Sequence, residues 1–301
     1  MPSLIAEAVE AISNNPDAMQ GLSVALALGG ASYVLSAVTG NDSWVDRMWS
    51  VVPVAYSWLY VAQERGAAAP STAAIDSPWV TARALFALCA TVWGTRLSFN
   101  FWRRGGYSKG GEDYRWEEIR KWPVFRYRVV WHLFSFGFIS MTQQLLLFAT
   151  TLPFVVGIPR HAAVGATDAV CAAGFLFFVL VEATADQQQW IFQQSKYRLM
   201  PRRPHLAPDY QRGFLRQGLF RFSRHPNVMS EQCIWMCAFL AAAMRVWPSG
   251  GSVLAAGSGY GVLFALTLRA AVFTEEISSR KYSEYARYQR EVPMLYPFLK
   301  W

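Results

Sequence analysis

The chain is short of charge. Only 16% of its 301 residues are Asp, Glu, Lys or Arg, whereas a soluble globular protein carries about 25%. With 53% apolar and 15% aromatic residues, that shortage excludes intrinsic disorder, collagen and coiled coil and points to a multi-pass membrane protein. Cysteine is scarce as well: Cys89, Cys171, Cys233 and Cys237 all lie in or beside apolar segments. They show no disulfide framework, and Cys233 with Cys237, one helical turn apart, supplies too few ligands for zinc. All four read as buried, inert thiols. No Lys or Arg precedes Arg47, so the start lacks the basic region of a signal peptide and the first apolar stretch is expected to be retained. There is no internal repeat and few charges fall inside the apolar stretches, which argues against a transporter.

What the chain does have is long apolar runs. Seven can be counted, near 21–39, 46–62, 79–102, 129–156, 167–185, 231–247 and 252–273. Each approaches the roughly 20 residues that carry a helix across a ~30 Å hydrocarbon layer. The expected fold is all-α, a transmembrane bundle of about seven spans forming one integral membrane domain over 1–301. The net charge of +8 follows from topology and not from nucleic-acid binding. Basic residues crowd the segments from Arg103 to Arg128 and from Lys196 to Arg224, and the tail from Arg280 to Lys300. The loop near 157–166 has only Arg160, the one near 63–78 only Arg65, and the turn near 248–251 none. The positive-inside rule then puts the N-terminus outside and the C-terminus in the cytoplasm. The long polar segments share the cytoplasmic side and can converge on one pocket. Arg83 and Arg96, near the two ends of the third run, are expected to snorkel. Most tryptophans fall near span ends and read as an interfacial belt. Arg115–Arg120 reads as an amphipathic helix on the membrane surface. His132, His161 and His205 belong to no constellation and read as structural.

The densest chemistry lies in 218–231, Gly-Leu-Phe-Arg-Phe-Ser-Arg-His-Pro-Asn-Val-Met-Ser-Glu, which runs straight into the sixth span. Pro226 pushes His225 out of the α region and suits the first turn of a helix, so a helix is expected to start here. Its free N–H groups and dipole, with Arg221, Arg224 and His225 beside them, make a candidate anion site. Ordinary positive-inside residues contacting lipid headgroups would account for the same charges.

Arg224-His225-Pro226-Asn227 followed by Glu231 resembles a signature of the steroid 5α-reductase-like membrane superfamily, and more narrowly of its DUF1295 group. Isoprenylcysteine carboxyl methyltransferases share related Arg-His-Pro segments. The resemblance extends through Asp46-Arg47-Met48-Trp49, Trp93-Gly94-Thr95-Arg96-Leu97, Gly111-Glu112-Asp113-x-Arg115, Ala185-Asp186-Gln187-Gln188, and the tail with Tyr282-x-x-Tyr285, Val292-Pro293 and Tyr296-Pro297. It implies a cofactor-binding part over about 167–301. There Asn227 and Glu231 would contact the nicotinamide half of NADPH, Glu182 and Asp186 would line the pocket, and Arg269 would help bind phosphates. The chemistry suits these side chains, because an amide pairs with a carboxamide, a carboxylate accepts from ribose hydroxyls and guanidinium groups clasp phosphate. Val228 and Ser230 stand where the family has Tyr and Gly.

The resemblance implies an NADPH-dependent reductase of a carbon–carbon double bond in a lipid or sterol-like substrate, in the endoplasmic reticulum membrane of a eukaryote. Asp46 and Tyr56 are the candidates for the catalytic acid, with a structural ion pair to Arg47 the plainer reading of Asp46. The alternatives are a membrane methyltransferase using S-adenosylmethionine and a non-enzymatic lipid-binding protein of the same fold. The basic 186–230 segment and Ala-Asp-x-Gln lean toward the reductase.

Overall fold

Helices in this chain begin and end where local chemistry dictates. The computed structural model describes residues 3–66, 81–248 and 252–299. Positions 67–80, which include the start of the third run and most of the loop before it, lie outside the described residues, as do 249–251 of the last short turn, Lys300 and Trp301. Helix α1 (Leu4–Ser13) is followed by α2 (Pro16–Thr39). There Asn15 accepts from Ala18 N at 3.1 Å, Pro16 occupies the first turn where its missing N–H is not needed, and Gly40 ends the helix. Short α3 (Trp44–Met48) leads to α4 (Val52–Gly66), and α5 (Ala82–Arg103) starts from a Thr81 cap. Then come α6 (Tyr114–Arg120), α7 (Arg128–Phe134), a π-helical stretch Ser135–Thr142, α8 (Gln143–Ala149) and a second π-helical stretch Pro153–Gly157. The chain continues with α9 (Ala166–Lys196), α10 (Ala207–Arg212), α11 (Pro226–Val246), α12 (Val253–Lys281) and α13 (Tyr285–Glu291). Among the described residues the only extended pairing is a Thr81–Ala163 bridge. The fold is all-α.

The described part of each of the seven apolar runs falls largely on these helices. Among the described residues, four stretches can cross a membrane by length and composition: Pro16–Thr39, Arg128–Gly157, Ala166–Lys196 and Val253–Lys281. Helix α4, with 15 residues, is only ~22 Å long at 1.5 Å per residue. The chain divides into two compact units, one of residues 1–173 with 237–262 and the other of 174–236 with 263–301.

In the first unit α5 packs closely on α4. A Cβ at Gly94 would lie 2.5 Å from both Ser50 O and Val54 Cγ2, and the neighbouring Trp93 is completely buried. The Trp-Gly pair of the family motif is thus a packing device. Arg83 does not snorkel. Its guanidinium is buried, with Nη1 2.9 Å from Asp17 Oδ2 and Nε donating to Ile158 O at 2.9 Å. Arg160 joins it on the same carboxylate. A carboxylate within reach satisfies the buried charge, so the side chain need not extend to water. Three of the four cysteines are buried; Cys171 is half-buried.

The polar segment after α5 is tied to the start of α3 by the residues of two family motifs. Asp46 Oδ2 accepts from Trp116 Nε1 at 2.8 Å. Arg47 does not pair with it: the guanidinium donates to Gly106 O (3.2 Å), Ser108 O (3.1 Å) and Gly111 O (3.0 Å). Glu112 accepts from Asp42 N at 2.8 Å and from Arg120, which also reaches Asp42 at 2.6 Å. Asp113 caps α6 and takes both arms of Arg115 at 2.8 and 2.9 Å. Burial pushes the Asp113 carboxyl up, but the Arg115 fork outweighs it and leaves the group below the usual carboxylate range. Helix α6 exists where an amphipathic helix was expected, with Trp116 buried beside Val45 and Ile139.

Asp17→Ala would strand the buried Arg83 charge and lower stability by about 3–5 kcal/mol. An Asp17→Ala, Arg83→Met double variant should recover most of that loss. Thermal unfolding of the detergent-purified chain, single against double variant, checks this.

Candidate functional site

All eight residues expected to hold a cofactor fall in the second unit. They sit on three helices and one loop, and the structure sorts them into groups with different commitments.

Glu182 and Asp186 are four residues apart on α9 and so share a face. Both are buried, at 5% and 4% exposure. Immediately after them Gln188 Oε1 accepts from Leu219 N at 2.9 Å, and a Cβ at Gly218, where φ is +62°, would strike that Gln188 amide at 2.4 Å. Glycine here meets two demands, a left-handed backbone and close approach to α9. The Ala-Asp-x-Gln segment thereby fixes the loop that leads into the Arg-His-Pro segment.

Helix α11 starts at Pro226, as the proline chemistry predicts. Its first intrahelical bond runs from Met229 N to His225 O. Asn227 is half-buried and its side chain makes no hydrogen bond to the described residues. Glu231, one turn on, accepts from Trp235 Nε1 at 2.9 Å. Ser230, in place of the family glycine, is fully buried and donates its hydroxyl to Pro226 O at 2.7 Å. It closes the first turn on itself. Val228 is half-buried.

Arg224 and His225 are committed elsewhere. Arg224 Nη2 lies 3.0 Å from Glu275 Oε2, its Nη1 donates to Gln289 O at 2.9 Å and also to Val292 O, and His225 Nε2 is 3.0 Å from Glu275 Oε1. Gln289 Nε2 adds a bond to Glu275 at 2.8 Å. The backbone N–H groups of Arg224 and His225 donate to Pro293 O and Met294 O. This pair therefore pins the C-terminal tail to the start of α11, instead of facing outward as an anion site. Arg221 is exposed with its guanidinium over the Phe222 ring. Arg269 is exposed and reaches Glu276 at 3.3 Å.

The clamp residues Glu275, Gln289 and Tyr288 were missed by sequence reasoning. Tyr288 donates to Phe220 O at 2.6 Å, and burial pushes its phenol up, which keeps it a donor. Gln232 links α11 to α12 through Thr267 (2.9 Å) and accepts from Tyr296 at 2.9 Å. One signal was available. Glu275 stands near the end of an apolar run, and an acid in that setting calls for a named partner. The two catalytic candidates lie in the first unit: Asp46 bonded to Trp116, and Tyr56 fully buried with its ring 5.9 Å from Phe148.

The chain matches the model of the family described as "Protein of unknown function (DUF1295)" over residues 32–292, and it belongs to that family. It is similar to an uncharacterized protein of Schizosaccharomyces pombe, 31% identical over 291 residues, which span 93% of this chain and 79% of the relative. No solved structure matches.

Glu275→Ala would leave Arg224 nearly buried without its counter-charge, and the tail should come loose. Hydrogen exchange over Tyr285–Glu291 is expected to rise by the equivalent of about 3–5 kcal/mol of lost protection. Glu276→Ala, which removes only the exposed pair with Arg269, should change it by less than about 1 kcal/mol.

Proposed function

We propose that this membrane protein is an NADPH-dependent reductase of a carbon–carbon double bond in a lipid or sterol-like substrate, acting in the endoplasmic reticulum membrane. The observation that carries the reading is the donor set of the second unit. An uncommitted amide on Asn227, a carboxylate on Glu231, two buried carboxylates on one face of α9 and an exposed guanidinium on Arg221 sit in one compact unit. That set suits a dinucleotide: Asn227 for the carboxamide, Asp186 and Glu182 for hydroxyls, Arg221 for phosphate. With Arg224 and His225 engaged by Glu275, phosphate contact falls first to Arg221, with Arg269 available at the cost of its exposed pair with Glu276.

A bound reduced nicotinamide supplies hydride to an electron-poor carbon of the substrate. The chain's part is to orient, to exclude water and to deliver a proton to the neighbouring carbon. Asp46 and Tyr56 are the acids we propose for that proton or for stabilising an enolate oxygen. Membership of the DUF1295 family and helices apolar enough to cross a membrane support a lipid-like substrate.

Calorimetry on the detergent-purified chain tests the reading. NADPH should bind in the micromolar range, and an Asn227→Ala, Glu231→Ala double variant that melts like the wild type should bind at least tenfold more weakly. Arg221→Ala should narrow the preference for NADPH over NADH. Selective binding of S-adenosylmethionine would replace this reading with a methyltransferase, and a folded protein that binds neither would end the enzyme reading.

A further inference from the structure

Acidic residues are missing from one long stretch of the first unit. Between Glu118 and Asp168 there is no Asp or Glu, yet Lys121, Arg126, Arg128 and Arg160 fall within it. Lys121 turns back to Glu118 at 2.6 Å, and Arg160 reaches Asp17. Arg126 and Arg128 are exposed and form no ion pair with the described residues. Two such neighbouring guanidiniums repel one another, and an anion shared between them removes that repulsion.

Their surroundings are fixed by aromatic packing. Arg126 ends a 3-10 turn, Pro123–Arg126, and Arg128 starts α7. Phe125 anchors the turn, with its ring centre 5.4 Å from that of Trp131, 4.8 Å from Phe134 and 6.2 Å from the stacked Trp122. Trp131 packs in turn on the buried Val45, Trp116 and Ile139. With Phe125 held inward, Trp122, Val124 and Tyr127 stay exposed. The Arg126 guanidinium lies over the Tyr127 ring and donates to its hydroxyl at 2.5 Å, which leaves the phenol hydrogen free to donate. The Trp122 indole N–H makes no hydrogen bond to the described residues. The rim thus presents donors from four side chains and no carboxylate, a pattern that suits phosphate.

The segment also lies at the right depth. Arg128 is the first residue of Arg128–Gly157, one of the stretches apolar enough to cross a membrane. The rim therefore sits at headgroup level, where bilayer interfaces favour Trp and Tyr. From there Val129, Leu133 and Phe136 follow at helical spacing, and all three are exposed. Phe136 also meets Tyr33 of α2, with ring centres 5.3 Å apart, so this apolar face runs along the seam between the two helices. It is reached directly from the bilayer.

We infer that Trp122, Arg126, Tyr127 and Arg128 hold the phosphate of an anionic phospholipid, with an acyl chain along Val129, Leu133 and Phe136. A zwitterionic headgroup offers the same phosphate but brings its own cation, which the two arginines repel. The site stands on the first unit alone and does not rest on the reductase reading.

Native mass spectrometry of the detergent-purified full chain, titrated with dioleoyl phosphatidylinositol or dioleoyl phosphatidylcholine, tests the site. The wild type should bind the inositol lipid at least about tenfold more tightly, with about fivefold from each guanidinium. Arg126→Gln combined with Arg128→Gln should bring the two lipids within about twofold of each other. Arg287→Gln combined with Arg290→Gln removes the same charge from exposed positions of the second unit and should leave the preference in place. Leu133→Ser should weaken both lipids by a similar factor. All these positions are exposed, so each variant should keep the wild-type melting profile. Equal binding of the two lipids by the wild type, or a preference that survives the loss of both arginines, would overturn the proposal. So would an equal loss in the second-unit control, or a Leu133→Ser variant that binds both lipids as tightly as the wild type.

Discussion

One constraint orders this molecule: a polar group hidden from water must find its partner inside the chain. Hydrocarbon offers none, and an unpaired charge there is expensive enough to unfold a helix bundle. Asp17 gathers Arg83 and Arg160, and Glu275 gathers Arg224, His225 and Gln289. In both cases one carboxylate joins segments that are distant in sequence. Such clusters add little net energy over apolar packing, but removing one member leaves the others stranded. They therefore specify which segments meet more than they stabilise the meeting.

Much of the architecture was legible because it is local. Asn15-Pro16 and Gly40 bracket α2, and Pro226 starts α11, through backbone chemistry that a few residues suffice to express. The apolar runs marked the long helices for the same reason. What was not legible is tertiary. Arg83 near a span end reads as a snorkelling residue until Asp17, 66 residues away, is placed beside it. Arg224 and His225 read as an anion site until Glu275, 51 residues on from Arg224, claims them. The π-helical stretch Ser135–Thr142 is likewise hidden, since such a run has the same composition whether it winds as α or π.

The family motifs turn out to divide by task. Asp46-Arg47 and Gly-Glu-Asp-x-Arg hold a polar loop to α3, Trp93-Gly94 lets α5 approach α4, and Gln188 with Gly218 sets the loop before α11. These are constraints of assembly, and they explain why residue types recur at those spacings without reference to any reaction. The residues outside these fixings are fewer, Asn227 and Arg221 among them. The substitution at Ser230 is absorbed locally by its bond to Pro226 O, so the first turn of α11 keeps its form without the glycine.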